Sequence, residues 1–190
     1  MMKYTIEGSN FPYVLCELDT GESMITESGA MAWMSQDIVM EASTGGGAGK
    51  MFGRALSGES LFLNSFTASR PGFVSFATTF PGEIIPVEIV PGKDVIVQKS
   101  GFLAAESTVE LSMFFRKKIG AGLFGGEGFI MQRLSGHGIA FIEIDGGSKV
   151  YELAAGETMI VDTGYLAMME DTVQIDIVQN KGLKNILFSG

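Results

Sequence analysis

The sequence predicts an all-β protein built from about three copies of one unit around a pseudo-threefold axis. Residues 151–175 align with residues 16–40 without a gap, and residues 87–111 fit the same pattern once Ser100 is treated as an insertion. Repeats of about 65 residues that fill a chain typically stack to bury a shared core. Short alternating segments between glycine turns, with no helical stripe of about 12 residues, favour strands over helices.

The repeats are predicted to form one domain, because each of them alone has too small a core. Within a single domain of residues 1–190, the approximate repeats are 11–80, 81–146 and 147–190, the last being incomplete. Gly190 aligns with Gly126 and therefore precedes the third Gly-Glu pair. We expect an open strand edge there, which invites pairing with another chain. Four apolar residues could line such a seam, although we expect core placement for them: Met31, Trp33, Met34 and Phe52.

Alternation of apolar and polar residues at period two predicts the strands. The apolar positions are Val87, Ile89, Val95, Val97, Val109, Leu111 and Met113 in the second repeat, and Val173, Ile175 and Ile177 in the third. Gly21, Gly92 and Gly156 occupy the same turn of each repeat and are predicted to have positive φ. Asp145-Gly146-Gly147 is typical of a hairpin turn.

The composition indicates a packed globular protein with an acidic surface. The chain is 46% hydrophobic and only 18% charged, which disfavours disorder. The net charge of −9 repels nucleic-acid phosphates, so DNA binding is not expected and RNA binding is disfavoured. We interpret the basic run Arg116-Lys117-Lys118 as a solvated strand end.

The sequence favours a cytoplasmic location. Cys16 is the single cysteine, which leaves no intramolecular disulfide, and we expect it to be buried. The first residues lack the apolar core of a signal peptide. No apolar stretch is long enough to predict a membrane span.

No motif predicts a catalytic residue, a metal site or a cofactor. Residues 45–51, GGGAGKM, lack both the first glycine and the Ser or Thr of a phosphate-binding loop. His137 is the only histidine, and one histidine with one cysteine cannot supply an ordinary zinc site. No G-x-S-x-G nucleophile motif occurs. We therefore expect His137 to be a turn residue in a hairpin loop.

Repeated carboxylates and one glycine-rich run supply weak candidates for binding. Glu17, Glu88 and Glu152 share one alignment column, and Glu59 and Glu127 share another. These carboxylates could ring the axis and hold a cation or a polar ligand, but we favour roles in solvent or as acceptors of turn N–H groups. Backbone N–H groups near Gly125 and Gly126 could form an anion nest.

Four segments resemble the altered-inheritance-of-mitochondria family, number twenty-four. They are ESGAMAWM (27–34), SGESLFLNSF (57–66), GLFGGEGFIMQRLSGHG (122–138) and YELAAGETMIVDTGYLAM (151–168). The resemblance covers essentially the whole chain. It implies an internally repeated β-sandwich or β-prism similar to the tryptophan RNA-binding attenuation protein, and it carries no catalytic residues. His137 stands where the family usually has proline.

We expect a non-enzymatic β-rich scaffold or binding protein that forms a homo-oligomer, with a protein or a small molecule as its partner. An alternative is a small-molecule or RNA binder of the attenuation-protein type. A weaker alternative is a hydrolytic enzyme that uses Glu127 or Asp162 beside His137.

Overall fold

The fold is all-β, as predicted, in a computed structural model that describes residues 2–27, 29–42, 63–117 and 128–178. The described residues form fourteen strands and two short 3₁₀ turns, Lys99–Gly101 and Thr163–Tyr165. The strands are β1 (Lys3–Glu7), β2 (Tyr13–Leu18), β3 (Ser23–Glu27), β4 (Met31–Met34), β5 (Ile38–Ala42), β6 (Leu63–Ala68), β7 (Gly72–Ala77), β8 (Gly82–Ile89), β9 (Val95–Gln98), β10 (Phe102–Glu106), β11 (Val109–Lys117), β12 (Phe129–Gly136), β13 (Gly138–Asp145) and β14 (Met168–Glu170).

Three antiparallel sheets contain these strands. The first sheet has the order β1-β2-β7-β4, the central sheet β5-β6-β3-β10-β13-β8, and the third sheet β11-β12-β9-β14. Part of this order occurs twice. In sequence, β5, β6, β3 and β10 align with β11, β12, β9 and β14, respectively. The order β5-β6-β3-β10 in the central sheet is thus repeated by the equivalent strands of the third sheet.

Strand β13 of the central sheet is buried on both faces. On β13, Ile139 and Phe141 join a core cluster shared with the first sheet, whereas Ala140 and Ile142 join a second cluster shared with the third sheet. Successive side chains of a strand point to opposite faces, so this apolar run fills two cores at once. Its continuous hydrophobicity is typical of such a doubly buried strand.

The junctions between successive sequence units have the same register. The paired residues are Met24 with Glu106 and Ile25 with Ala105 at β3–β10, and Val95 with Glu170 and Ile96 with Met169 at β9–β14. Val95 and Glu170 lie at the positions that are equivalent in sequence to Met24 and Glu106. Both junctions are therefore built in the same way.

Three glycine turns also share one geometry, as predicted. Gly21, Gly92 and Gly156 have φ angles of 89°, 82° and 83°. In each turn the residue after glycine donates its backbone N–H to the carbonyl three residues earlier, at 2.9, 3.1 and 2.9 Å. A side chain at these positions would strain the backbone.

The strand predicted around Val173, Ile175 and Ile177 is wrong, although its alternation is real. These three residues are half-buried and their neighbours are exposed, but residues 174–178 form no strand. Ile175 and Ile177 instead pack on the outer face of the third sheet, against a cluster that contains Ile96 and Met131. Alternating burial shows which side chains cover a surface, and it does not by itself make a strand.

The hairpin predicted at Asp145-Gly146-Gly147 is also wrong. Gly146 does have a positive φ of 77°, but residues 147–162 form no strand and Gly146 donates its N–H to the Pro81 carbonyl at 2.9 Å. The reason is that β13 already pairs with β10 on one side and β8 on the other. A returning strand would find no free edge of β13.

Core placement was wrong for two of the four apolar residues assigned to it. Trp33 and Met34 on β4 are 42% and 36% exposed, at the edge of the first sheet, and Trp33 stacks edge-on against Tyr13. Met31 is partly buried and packs against the core as expected, while Phe52 lies outside the described residues.

Candidate functional site

A polar cleft of about 230 Å³ lies beside the central sheet. Its polar lining residues are Thr26, Glu27, Thr79, Lys99, Ser100 and Glu143. Glu27 ends β3, Glu143 lies on β13, and the 3₁₀ turn Lys99–Gly101 follows β9. Two carboxylates and one ammonium group from three separate elements therefore face a common space.

The carboxylate of Glu27 is held by a buried amide. Gln132, only 1% exposed on β12, donates from Nε2 to Oε1 of Glu27 at 2.8 Å. The neighbouring Thr26 is equally buried and donates its hydroxyl to the Leu103 carbonyl at 2.5 Å. These bonds tie the end of β3 to β12 and β10, so Glu27 is positioned by the surrounding sheets.

Glu143, on β13, lines the same cleft and is partly buried. Partial burial raises the pKa of the Glu143 carboxyl, a hydrogen bond from the Thr79 backbone N–H at 3.4 Å partly opposes the rise, and the charge of Asp145 adds to it. A carboxyl with a raised pKa accepts a proton more readily than a solvated one and is stabilised by a neighbouring cation.

The chemistry of this cleft suits a small polar ligand with a cationic group. Carboxylates from Glu27 and Glu143 can accept hydrogen bonds from an ammonium ion of such a ligand. Among residues 2–27, 29–42, 63–117 and 128–178, no group of three or more His, Cys, Asp or Glu side chains is placed to hold a metal ion.

The predicted binding candidates do not contribute to this cleft as far as they are described. Glu59, Glu127, Gly125 and Gly126 lie outside the described residues, as does the run 45–51. Glu17, Glu88 and Glu152 are exposed, on β2, on β8 and in an irregular segment. The turn acceptors are instead Glu22 and Glu157, which accept N–H groups from Asp19 and Ala154 at 2.7 and 2.9 Å.

His137 is the turn residue that the sequence predicted. It is exposed between β12 and β13 and donates its backbone N–H to the Thr108 carbonyl at 3.3 Å. Asp162, proposed as a partner in the enzyme alternative, accepts the Gly164 N–H at 2.9 Å and so caps the second 3₁₀ turn.

Cys16 is buried, as expected. Burial raises the pKa of its thiol to about 12, and the nearby charge of Glu106 acts in the same direction. A thiol with such a pKa is protonated and unreactive at neutral pH. Cys16 therefore fills the core between the first and central sheets.

The sequence interpretation missed both carboxylates of the cleft, Glu27 and Glu143. One signal was available, because Gln132 interrupts the apolar run Phe129–Met131 at a position that the strand period turns inward. Glu27 and Glu143 carried no comparable signal, since their proximity depends on how β3 and β13 are placed in the central sheet.

A second feature is the exposed apolar segment Met159–Val161. Ile160 is 98% exposed, and its neighbours Met159 and Val161 are 43% and 46% exposed. Their sequence equivalents in the second unit, Ile96 and Val97, are completely buried within β9. Among the described residues, those at 158–162 belong to no strand.

The described part of the chain contains no helix that is both long enough and apolar enough to cross a membrane.

Comparisons with known proteins place the chain in a family. The sequence profile described as Mitochondrial biogenesis AIM24 matches residues 4–190. A Streptococcus pyogenes serotype M6 protein, described as uncharacterized, is 28% identical over 199 residues that include all of this chain and 79% of that protein. An X-ray structure of a Streptococcus pyogenes protein superposes with a TM-score of 0.78 at 25% identity, covering 98% of this chain and 84% of the other. The chain belongs to the Mitochondrial biogenesis AIM24 family.

Proposed function

We propose that the protein is a non-enzymatic β-rich scaffold that associates with copies of itself through open strand edges. The observation that carries this proposal is the exposed apolar segment Met159–Val161, together with Trp33 and Met34 on the edge strand β4. Exposed apolar side chains at unpaired strand edges favour association with another chain.

A threefold repeat of the attenuation-protein type is the architecture that we propose behind this function. Its support is the common register of the β3–β10 and β9–β14 junctions and the shared geometry of three glycine turns. If the same junction were continued a third time, Ile160 would lie opposite Met34. Both of these side chains are exposed.

Sedimentation velocity over about a hundredfold range of protein concentration tests self-association. We expect the weight-average sedimentation coefficient to rise with concentration, and Ile160→Lys to reduce that rise. The matched control is Phe80→Lys, since Phe80 is 59% exposed in the turn between β7 and β8. A wild-type protein that stays monomeric across the range would contradict the proposal.

A second candidate function is the binding of a small amine in the cleft, favoured by the convergence of the Glu27 and Glu143 carboxylates. Free amino acids and short diamines are suitable probes, read by amide chemical shifts. We expect perturbations at Thr79 and Ser100, and their loss in Glu143→Gln. Uniformly unchanged shifts would exclude this function. The net charge of −9 lends no support to an RNA ligand.

We also propose the cytosol as the compartment. The supporting observation is that the only cysteine is a buried free thiol, which needs no oxidising environment.

A further inference from the structure

The first sheet carries an aromatic pair and a carboxylate side by side, on the face that is turned away from the central sheet. We propose that Tyr13, Trp33 and Glu7 form a binding site for a small, free quaternary ammonium compound. This site is separate from the cleft and goes beyond self-association. Strand pairing uses the backbone edge of β4, whereas the proposed ligand would contact side chains on the face of the sheet.

Alternation along two strands determines which side chains lie on this outer face. Val14 and Cys16 of β2, and Val74 and Phe76 of β7, belong to the core cluster shared with the central sheet. Successive side chains of a strand point to opposite faces. The residues beside these core positions therefore lie on the outer face: Tyr13, Leu15, Phe73 and Ser75. Trp33 shares that face, because it lies opposite Ser75 in the β4–β7 pair.

The outer face is unusually apolar for a face in contact with solvent. A solvated face of an antiparallel sheet usually carries polar residues. Here Tyr13, Leu15 and Phe73 are half-buried, and Trp33 is 42% exposed. Aromatic residues in this position indicate a surface that contacts a ligand, and the identity of the ligand follows from the groups around the rings.

The two rings present their faces to one space. The ring centroids of Tyr13 and Trp33 are 4.8 Å apart, and the ring planes are inclined at 66° to each other. A group that lies in the angle between the planes therefore meets the face of each ring. Ring faces carry the negative part of the aromatic quadrupole and attract a cation that lies within about 6 Å of the centroid. The geometry suits a cation of low hydration.

A carboxylate lies beside the rings. Tyr13 donates its hydroxyl to Oε2 of Glu7 at 2.5 Å, and the two residues are paired across β1 and β2. This hydrogen bond raises the pKa of the Tyr13 phenol, so the phenol stays protonated and continues to donate at neutral pH. Glu7 thus provides a negative charge next to the ring faces, and donation to it polarises the phenol in the direction that favours a cation.

The rings are supported by paired strands. Ser75 is completely buried and donates its hydroxyl to the Val14 carbonyl at 3.1 Å. Strands β2 and β7 are the two inner strands of the first sheet. Because Tyr13 lies on β2 and Trp33 lies opposite β7, a ligand would not have to order the backbone that holds them.

The charges on this face select the ligand. A quaternary ammonium group has no N–H to donate and is attracted chiefly by ring faces, whereas a primary ammonium group is strongly hydrated and suits the carboxylates of the cleft. Lys3 and Glu17 lie opposite each other, further along β1 and β2, and offset each other's charge. Glu7 and the net charge of −9 repel a ligand that also carries a carboxylate or phosphate. We therefore expect choline to bind more tightly than glycine betaine.

The test is a titration of the full-length protein with choline chloride at constant ionic strength. Trp33 is the only tryptophan, so its fluorescence and its indole N–H resonance report on this site alone. We expect a saturable change with a Kd that is roughly millimolar. The control ligand is the uncharged isostere of choline, in which a tert-butyl group replaces the trimethylammonium group. An equal response to this isostere overturns the proposal, because it would show apolar contact without recognition of charge.

Two matched variants locate the site. Glu7→Gln should weaken choline binding about threefold or more, because it removes the charge beside the rings. Glu17→Gln removes the same charge from the same face, opposite Lys3, and should change the Kd less than about twofold. Equal effects of the two variants overturn the proposal, since they would indicate a response to net charge. Unchanged binding in Glu7→Gln overturns it as well.

Two further measurements complete the test. Tyr13→Leu, followed by the Trp33 indole resonance, should weaken choline binding about threefold or more, and undiminished binding overturns the role of the ring pair. Phosphatidylcholine vesicles present the same trimethylammonium group next to a phosphate. A stronger response of Trp33 to these vesicles than to choline would overturn the assignment of a free ligand, and a weaker response or none supports it.

Discussion

Gln132 donates a hydrogen bond from Nε2 to Oε1 of Glu27 at 2.8 Å, while its own buried Oε1 atom has no partner within the described structure. The bond to a carboxylate fixes the orientation of the amide, because only its NH₂ group can donate. The carbonyl oxygen must therefore point away from Glu27, into the interior. A buried acceptor without a donor costs stability, so this position is not optimised for folding.

We predict that Gln132→Met increases the free energy of unfolding by about 1 kcal/mol, because the change removes the unpaired oxygen and fills a similar volume. Water in the cleft can replace the lost donor to Glu27. Thr26→Val is the contrasting variant, since it leaves the buried Leu103 carbonyl without its donor and should cost about 1 kcal/mol. Urea unfolding measures both; destabilisation of Gln132→Met would show that the bond to Glu27 outweighs the unpaired oxygen.

Gly82 tolerates no side chain, because of the close approach of two backbones at the start of β8. A Cβ atom built there would lie 1.8 Å from the carbonyl oxygen of Ile144. Since that oxygen belongs to the paired strand β13, relief requires the ladder to separate. We predict that Gly82→Ala lowers stability by about 2–3 kcal/mol.

The matched control for Gly82→Ala is Gly147→Ala, a nearby exposed position where an added Cβ meets nothing within 4 Å. We expect its stability to lie within about 0.5 kcal/mol of the wild type. Thermal melts of the two variants at one pH make the comparison. Equal melting temperatures would mean that β8 moves away from β13 without cost.

The strands that the sequence predicted in the second unit are present, since Val95 and Val109 lie in β9 and β11. Val173 shows the same alternation but lies in no strand, because periodicity reports the surface being covered and not the availability of a ladder neighbour. Local patterns therefore predicted which side chains face inward better than which segments pair.

The cleft was not predictable from local patterns. Glu27 and Glu143 are separated along the chain and meet only because β10 lies between β3 and β13 in the central sheet. Repeat alignment directed attention to columns of identical residues such as Glu17 and Glu88, which are exposed. An alignment of the repeats cannot identify a site that is assembled from non-identical residues of two repeat units.

The stability cost of replacing a turn glycine measures how strongly the surrounding structure constrains that turn. Gly21 and Gly156 have nearly the same positive φ, and an added Cβ meets nothing within 4 Å at either position. Left-handed backbone costs a non-glycine residue about 1–2 kcal/mol where the surrounding structure enforces it. We predict this full cost for Gly21→Ala, because β2 and β3 flank that turn.

For Gly156→Ala we predict a loss below about 0.5 kcal/mol, since the exposed segment around this turn can relax without disturbing a strand. Urea unfolding of both variants measures the difference. Equal losses for the two variants would show that the turn at Gly156 is constrained as strongly as the turn at Gly21.

The pH dependence of stability should show the contribution of the Glu143 carboxyl. Burial, with the charge of Asp145, raises the pKa of this carboxyl in the folded protein above its unfolded value of about 4.3. A raised pKa means that folding favours the protonated form. The contribution of Glu143 is therefore fully present below pH 4 and is lost as the pH rises through the folded pKa.

Glu143→Gln, which keeps an acceptor for the Thr79 N–H but carries no charge, should match the wild type in stability at pH 4 and exceed it at pH 7. The measurement is the melting temperature of both proteins at several pH values between 4 and 8. Asp145→Asn is the control, because Asp145 is exposed and affects Glu143 only through its charge, so its effect should have the same sign and be smaller. A Glu143→Gln variant that is less stable than the wild type at pH 7 would contradict this prediction.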